Sequence, residues 1–372
     1  MSSKVPARWD EALMSSALAV GRRHLGRTWP NPAVGAVVAR DTSTGPLVLA
    51  RGATAPGGRP HAETQALAAA GEGVRGATLY VTLEPCSHHG RTPPCVDAIR
   101  AAGVARVVAA LEDPDARVAG RGFTLLRAAG IEVSVGAGAA EARLVHAGHL
   151  RRVSDGRPHI LLKLAISADG KAGLAARRPA VITGPQARAR AHLMRATSDA
   201  VLTGIGTVLA DDPLLTCRLP GMEARSPVRV VLDSTLRLPL TSALATSLTA
   251  APLWVISGPD APAGREAALR AHGIEVMRVD TAPGGLDLGE AARRLAGRGI
   301  TRLMVESGPR LASAFLAADL VDEAALFTGA VTLGEDALDA LDDAARSALT
   351  RRLSEAETET CGPDGLRILR RH

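Results

Sequence analysis

His61-Ala62-Glu63, followed by Pro85-Cys86 and then Cys95, brings three metal-binding side chains and one carboxylate into a short span. One imidazole and two thiolates suit zinc, and three protein ligands leave a fourth position for water. Zinc brings the ionisation of that water toward neutral pH, so it can attack an electrophilic carbon. A Glu two residues after the His is placed to carry protons without binding the metal. The pattern predicts removal of an amine from a pyrimidine-like ring by water, with His61, Cys86 and Cys95 on the metal and Glu63 as proton shuttle.

The spacing is unusual. Zinc deaminases carry Pro-Cys-x-x-Cys, whereas eight residues separate Cys86 from Cys95 here. The intervening Ser-His-His-Gly-Arg-Thr-Pro-Pro is rich in turn formers and can loop out to return Cys95 to Cys86. His88 and His89 lie in that polar loop and are expected to face solvent or substrate, since three ligands exist without them. Cys217 and Cys361 are read as inert thiols, and no disulfide framework is indicated.

The elements around these residues support convergence. Residues 62–70 read as a helix opening at His61, 77–83 as a strand running into Cys86, and Cys95 starts a helical run to Ala102, ended by Gly103. Further along, the first half reads as helix 10–24, strands 34–38 and 47–50, strand 105–111, helix 122–129 and strand 131–135, complete near residue 145. A polar stretch, Leu150 to Pro158, reads as the junction. The second half reads as strand 159–166, helix 185–197, strands 199–203, 228–233, 253–257 and 274–279, helix 288–297, strand 301–306, helix 309–318, and closing strands near 321–328 and 365–370. Alternation of this kind predicts two α/β domains with helix-covered sheets.

Length and composition agree. A chain of 372 residues exceeds one typical domain. The net charge is +6 and the pI about 9.7, but the Arg residues are scattered and only 3 Trp, 1 Tyr and 3 Phe offer stacking platforms. A phosphorylated small molecule therefore fits the charge better than nucleic acid. With no apolar signal core at the N-terminus and no apolar run of membrane length, a cytoplasmic protein without membrane contact is expected.

Two Gly-bearing loops follow strands in the second half, Gly204-Ile-Gly-Thr-Val and Glu306-Ser-Gly-Pro-Arg-Leu. Such loops let backbone N–H groups approach phosphates, although a plain turn is the commoner use. The segment Val208 to Arg218 reads as a loop with two adjacent carboxylates, Asp211 and Asp212.

Over nearly its full length the chain resembles the bifunctional deaminase/reductase family of riboflavin biosynthesis. In the first half the resemblance is carried by Pro30-Asn-Pro-Ala-Val-Gly35, Pro60-His-Ala-Glu63, the run Val81-Thr-Leu-Glu-Pro-Cys-Ser-His-His-Gly-Arg-Thr-Pro-Pro-Cys95, and Glu112-Asp-Pro114 with Val118-Ala-Gly-Arg-Gly122. In the second half it is carried by Leu162-Lys-Leu-Ala-Ile-Ser-Ala-Asp-Gly170, Ile182-Thr-Gly-Pro-Gln-Ala-Arg188, Thr207-Val-Leu-Ala-Asp-Asp-Pro213 and Val305-Glu-Ser-Gly-Pro309. The long Cys-to-Cys loop is the most specific of these and accounts for the spacing.

The resemblance implies a cytidine-deaminase-like three-layer α-β-α domain over residues 1–148 and a dihydrofolate-reductase-like α/β domain over 156–372. The first would use Zn2+ to deaminate a 2,5-diamino-6-(5-phosphoribosylamino)pyrimidinone, and the second would use NADPH to reduce the ribosyl side chain of the product to ribityl. By position, Asn31 resembles a pyrimidine contact. Arg195, Leu215, Arg218 and Glu306 match substrate positions, with the arginines suited to the 5-phosphate. Ala165, Thr207, Asp211 and Gly308 match cofactor positions, and Lys163 with Asp211 are the candidates for proton supply during hydride transfer. A homo-oligomer is expected. One stretch departs from the family: Pro179-Ala-Val-Ile-Thr183 stands where a Ser-x-Trp-Ile-Thr run is usual, so a hydrogen-bond donor and an aromatic wall are missing, which Arg177 or Arg178 would have to offset at a phosphate. The alternatives are a deaminase with a silent or repurposed second domain and a nucleic-acid base deaminase.

Overall fold

The computed structural model describes residues 4–90, 92–174 and 180–372. Arg91, Arg177, Arg178 and Pro179 therefore lie outside the described residues. The chain divides into two compact units, Met1–Gly156 and Arg157–His372.

The first unit runs α1 (Asp10–Arg22), β1 (Gly35–Thr42), β2 (Gly45–Ala53), α2 (Ala62–Ala70), β3 (Thr78–Val81), α3 (Cys95–Ala102), β4 (Arg106–Ala109), α4 (Arg121–Ala128), β5 (Glu132–Val135), α5 (Ala139–Val145) and α6 (Ala147–Asp155). Its sheet has the order β2-β1-β3-β4-β5 among the described residues, antiparallel up to β3 and parallel from β3 to β5. Every residue of β3 and β4 is buried. A strand buried on both faces must carry helices on both, which makes three layers. Two glycines set close approaches that position the candidate site. A Cβ on Gly52 of β2 would lie 2.3 Å from the carbonyl oxygen of Ala62, so the start of α2 rests directly on the strand. A Cβ on Gly122 would lie 2.4 Å from the carbonyl oxygen of Pro85, which brings the start of α4 against the residue before Cys86.

The second unit runs β6 (His159–Ile166), β7 (Lys171–Gly173), α7 (Pro185–Ala196), β8 (Ala200–Gly204), α8 (Ile205–Asp211), β9 (Val228–Leu232), α9 (Ala243–Thr246), β10 (Leu253–Ser257), α10 (Ala263–Ala271), β11 (Glu275–Arg278), β12 (Thr281–Ala282), β13 (Gly285–Leu286), α11 (Leu288–Gly297), β14 (Arg302–Glu306), α12 (Pro309–Ala317), β15 (Glu323–Thr328), β16 (Leu338–Asp339), α13 (Asp343–Arg352), β17 (Leu353–Cys361) and β18 (Asp364–Arg371). Its main sheet has the order β11-β10-β9-β8-β14-β6-β15-β18-β17. Strands β11 to β15 in that order pair in parallel and the β17–β18 hairpin closes the edge antiparallel. The parallel strands β8, β9 and β10 are almost wholly buried and mostly apolar, as strands covered on both faces are, with buried Arg229 on β9 the charged exception among them. No helix among the described residues is long and apolar enough to cross a membrane.

Several elements differ from the sequence reading. Most of Leu150–Pro158, expected as a junction, is the end of α6, whose charged outer face hides an amphipathic helix. The Gly204 loop is short: α8 begins at Ile205 and takes in Val208 to Asp211, expected as loop. Strand β17 went unread because its interior residues are exposed or half-buried and polar on both faces, as befits an edge strand. Helices α10 and α13 were also missed; both are charged and bury few residues.

Candidate active sites

In the first unit, His61 caps α2 and Cys95 begins α3, while Cys86 lies on the loop after β3. The three ligand atoms lie within 4.8 Å of one another. His61 Nδ1 is 3.3 Å from Cys95 Sγ and 3.7 Å from Cys86 Sγ. A tetrahedral zinc with ordinary Zn–S and Zn–N bonds requires ligand separations of about 3.5–3.8 Å. The cluster therefore fits zinc, and among the described residues it offers three ligands, one fewer than a closed structural site uses. His88 and His89 are outside it. The Cys86 thiol is pushed down to about 4, first by the hydrogen bond from the Cys95 thiol, against burial and with help from His61. The same hydrogen bond, with burial, pushes Cys95 up.

Glu63 sits in the first turn of α2, 3% exposed. Burial pushes its carboxyl above the ordinary range, the charge on Cys86 adds to this, and His61 opposes it. Asn31 lies at the loop before His61, where its Nδ2 donates to the Gly58 carbonyl at 2.8 Å; Oδ1 remains as an acceptor. Sequence reasoning missed Glu84. It is buried and accepts the backbone N–H groups of Asp113, Gly120 and Gly122 at 3.2, 3.0 and 2.9 Å. That carboxylate ties the Asp113–Gly122 loop to the residue two before Cys86. His149 adds a second tie, its Nε2 lying 3.0 Å from Asp113 Oδ1.

In the second unit a charged array joins the middle of β6 to the carboxyl end of β14. Register pairs Glu306 with Lys163. Glu306 accepts from Arg195 Nε at 2.5 Å and Nη2 at 2.9 Å, and Lys163 Nζ is 3.9 Å from its Oε2. Burial alone would raise the Glu306 carboxyl, but Arg195 first and then Lys163 hold it down to about 2. Arg195 Nη1 also donates to the Thr216 carbonyl at 3.0 Å. Three of its five N–H donors are thus committed inside the protein. Arg218, in contrast, is exposed and makes no ion pair among the described residues. His192, one helical turn before Arg195, completes the group and was not read from the sequence.

The residues matched to cofactor positions partly converge. A Cβ on Gly308 would lie 3.9 Å from Thr207 Oγ1, so the starts of α8 and α12 face each other after the paired strands β8 and β14. Ser307 Oγ, beside Gly308, is buried without a hydrogen-bond partner among the described residues, a polar group suited to an incoming ligand oxygen. Ala165 is half-buried on β6, next to Phe327 in register. Asp211 ends α8 on the surface, its carboxyl raised by partial burial. Leu215 is buried, with φ 54. Val181, in the stretch expected to depart from the family, is 75% exposed.

A zinc-binding deaminase unit joined to a parallel-sheet reductase unit is the class that this fold and these two sites define. Residues 7–111 match the cytidine and deoxycytidylate deaminase zinc-binding region, and residues 158–366 match the RibD C-terminal domain. The riboflavin biosynthesis protein RibD of Escherichia coli K12 is 41% identical over 339 residues, covering 88% of this chain and 89% of that one. The RibD of Aquifex aeolicus is 40% identical over 326 residues, covering 88% of each. Among solved structures, Acinetobacter baumannii RibD matches with a TM-score of 0.87 at 34% identity, covering 98% of this chain and 99% of that one. A diaminohydroxyphosphoribosylaminopyrimidine deaminase/5-amino-6-(5-phosphoribosylamino)uracil reductase from Thermotoga maritima matches with a TM-score of 0.83 at 33% identity, again over 98% and 99%. The chain belongs to the RibD family of bifunctional deaminase/reductases of riboflavin biosynthesis, and it carries both halves, the zinc-binding deaminase and the NADPH-using reductase.

Proposed function

We propose that the first unit, with its functional domain over residues 1–148, converts 2,5-diamino-6-(5-phosphoribosylamino)pyrimidin-4(3H)-one and water into the corresponding uracil and ammonia. We propose in turn that the domain over 156–372 reduces the ribosyl group of that product to ribityl. The observation that carries the reading is the three-ligand cluster of His61, Cys86 and Cys95 with buried Glu63 beside it. When bound, zinc supplies the acidity that ionises water near neutral pH. Glu63 takes the proton of the attacking water and returns it to the departing amine, a task suited to a carboxyl raised by burial. Asn31 offers Oδ1 to the pyrimidine.

In the second unit NADPH, when bound, supplies the hydride. Ala165, Thr207, Asp211 and Gly308 hold it, with the N-terminus of α12 and Ser307 Oγ at the phosphates. Arg218 meets the substrate 5-phosphate, Leu215 and Glu306 border the sugar, and Arg195 orients Glu306. Lys163 and Asp211 are the proton donors for the sugar oxygen that leaves the carbon as the hydride arrives there. The protein works on a small phosphorylated substrate in the cytoplasm as a homo-oligomer; light scattering behind size exclusion tests the assembly.

The experiment is incubation of the zinc-loaded protein with the diamino substrate and NADPH, following ammonia and loss of reduced-cofactor absorbance together. Equal amounts support both roles. Ammonia without cofactor oxidation would point to the exposed Val181 segment as a failed wall and a silent reductase half.

A further inference from the structure

His192 and Arg195 lie three residues apart on α7, on one face of the helix. His192 Nδ1 is 3.3 Å from the amide nitrogen of Arg218 and 3.2 Å from the carbonyl oxygen of Thr216. One ring nitrogen serves only one of these at a time: with a proton it donates to Thr216, and without one it accepts from Arg218. The Thr216 carbonyl already accepts from Arg195 Nη1. The Arg218 amide has no other acceptor among the described residues. Satisfying every donor therefore places the proton on Nε2 and leaves the Nδ1 lone pair to Arg218. The charges facing the ring are Arg195 on its own helix, Arg218 on the following loop and Glu306 on β14. Burial, then the two arginines, push the imidazole below its ordinary range, which favours the neutral ring, with Glu306 and then the Thr216 carbonyl opposing.

The loop it touches needs holding. Leu215, just before Thr216, has φ 54, in the left-handed region that a leucine avoids. Backbone of that kind persists only where its surroundings fix it. Arg195 on Thr216, Ser226 Oγ on the Cys217 amide at 3.1 Å, and His192 on the Arg218 amide are the fixing contacts.

We propose that neutral His192 is a positioning residue of the reductase: by accepting the Arg218 amide it sets the Thr216–Arg218 turn so that the Arg218 guanidinium meets the substrate phosphate. The proposal rests on the assignment of Arg218 to that phosphate.

The test uses the full-length, zinc-loaded protein with NADPH, comparing wild type, His192→Leu, His192→Asn and Arg218→Leu. The substrates are the deaminated phosphoribosyl compound and its dephosphorylated counterpart, with ammonia release from the diamino substrate as the control for folding. His192→Leu is expected to raise KM for the phosphorylated substrate about tenfold, with kcat and the dephosphorylated substrate little changed, as one lost hydrogen bond predicts. Asn places an acceptor at the same distance along the side chain and is expected to restore KM. Acidification is expected to raise KM more steeply in wild type than in His192→Asn, since ionisation of the substrate phosphate is common to both. Equal losses on both substrates, or failure of Asn to restore KM, would overturn the proposal in favour of simple packing. If Arg218→Leu leaves the preference for the phosphorylated substrate intact, the Arg218 assignment falls. If Arg218→Leu abolishes that preference and His192→Leu does not change it, the assignment stands and the role of His192 falls.

Discussion

Arg195 and Glu306 meet edge to edge, Nε on Oε1 at 2.5 Å and Nη2 on Oε2 at 2.9 Å, although 111 residues separate them. Both side chains are largely buried, at 12% and 10% exposure. A paired charge in such a place costs little net stability, but an orphaned one costs several kcal/mol. Arg195→Leu is therefore expected to destabilise the second unit by about 3–5 kcal/mol, while Arg195→Leu with Glu306→Leu costs less than the sum of the two. Denaturant unfolding of the wild type and the three variants checks this, and additive losses would count against the coupling.

The same pair sets an acid limit. Arg195 and Lys163, acting against burial, lower the Glu306 carboxyl from 4.5 to about 2. A group with a depressed folded-state pKa contributes stability that is present above its unfolded value and lost as pH falls through the folded one. The stability difference between wild type and Glu306→Gln should thus be constant above about pH 4.5 and shrink between there and about pH 2. Urea melts across that range test the window.

Glu63→Gln keeps the shape of the side chain but removes its ability to carry a proton. It should retain zinc and lower the ammonia-forming rate by about 10²–10⁴, the usual worth of general acid–base catalysis. Loss of metal from this variant, read by elemental analysis, would make Glu63 a ligand and the mechanism wrong.

Cys86→Ser removes a thiolate that also accepts the Cys95 amide at 3.3 Å. The variant should lose zinc and, with it, part of the stability of the first unit, because metal binding and folding are coupled. Full metal occupancy would contradict the assignment.

Asp211→Asn should lower NADPH oxidation while leaving ammonia release unchanged, since the two sites belong to separate compact units. Equal effects on both steps would undo that separation.

Much of the deaminase half is legible in the sequence because its chemistry is local. His61 and Glu63 share one helix start, Cys95 opens the next helix, and the buried strand β3 between them is mostly apolar. The helix and strand starts that carry these residues were readable to within a residue or two, the usual fraying of element ends.

Less was legible where one face alone decides. The charged strand β17 and helices α6, α10 and α13 hold few buried residues, so hydrophobic periodicity is weak in them. Residue types and spacing by themselves picked out the residues that the fold gathers, His61, Cys86 and Cys95 with Glu63 nearby in sequence, and the two α/β halves, since ligand chemistry and apolar patterning are written along the chain. Only the tertiary structure decided that Arg195 spends its donors on Glu306, that Glu84 ties down the Asp113–Gly122 loop, and that His192 reaches the Arg218 amide. Those partners are distant in sequence and are matched by the register of parallel strands and the packing of helices on them, which no local pattern encodes.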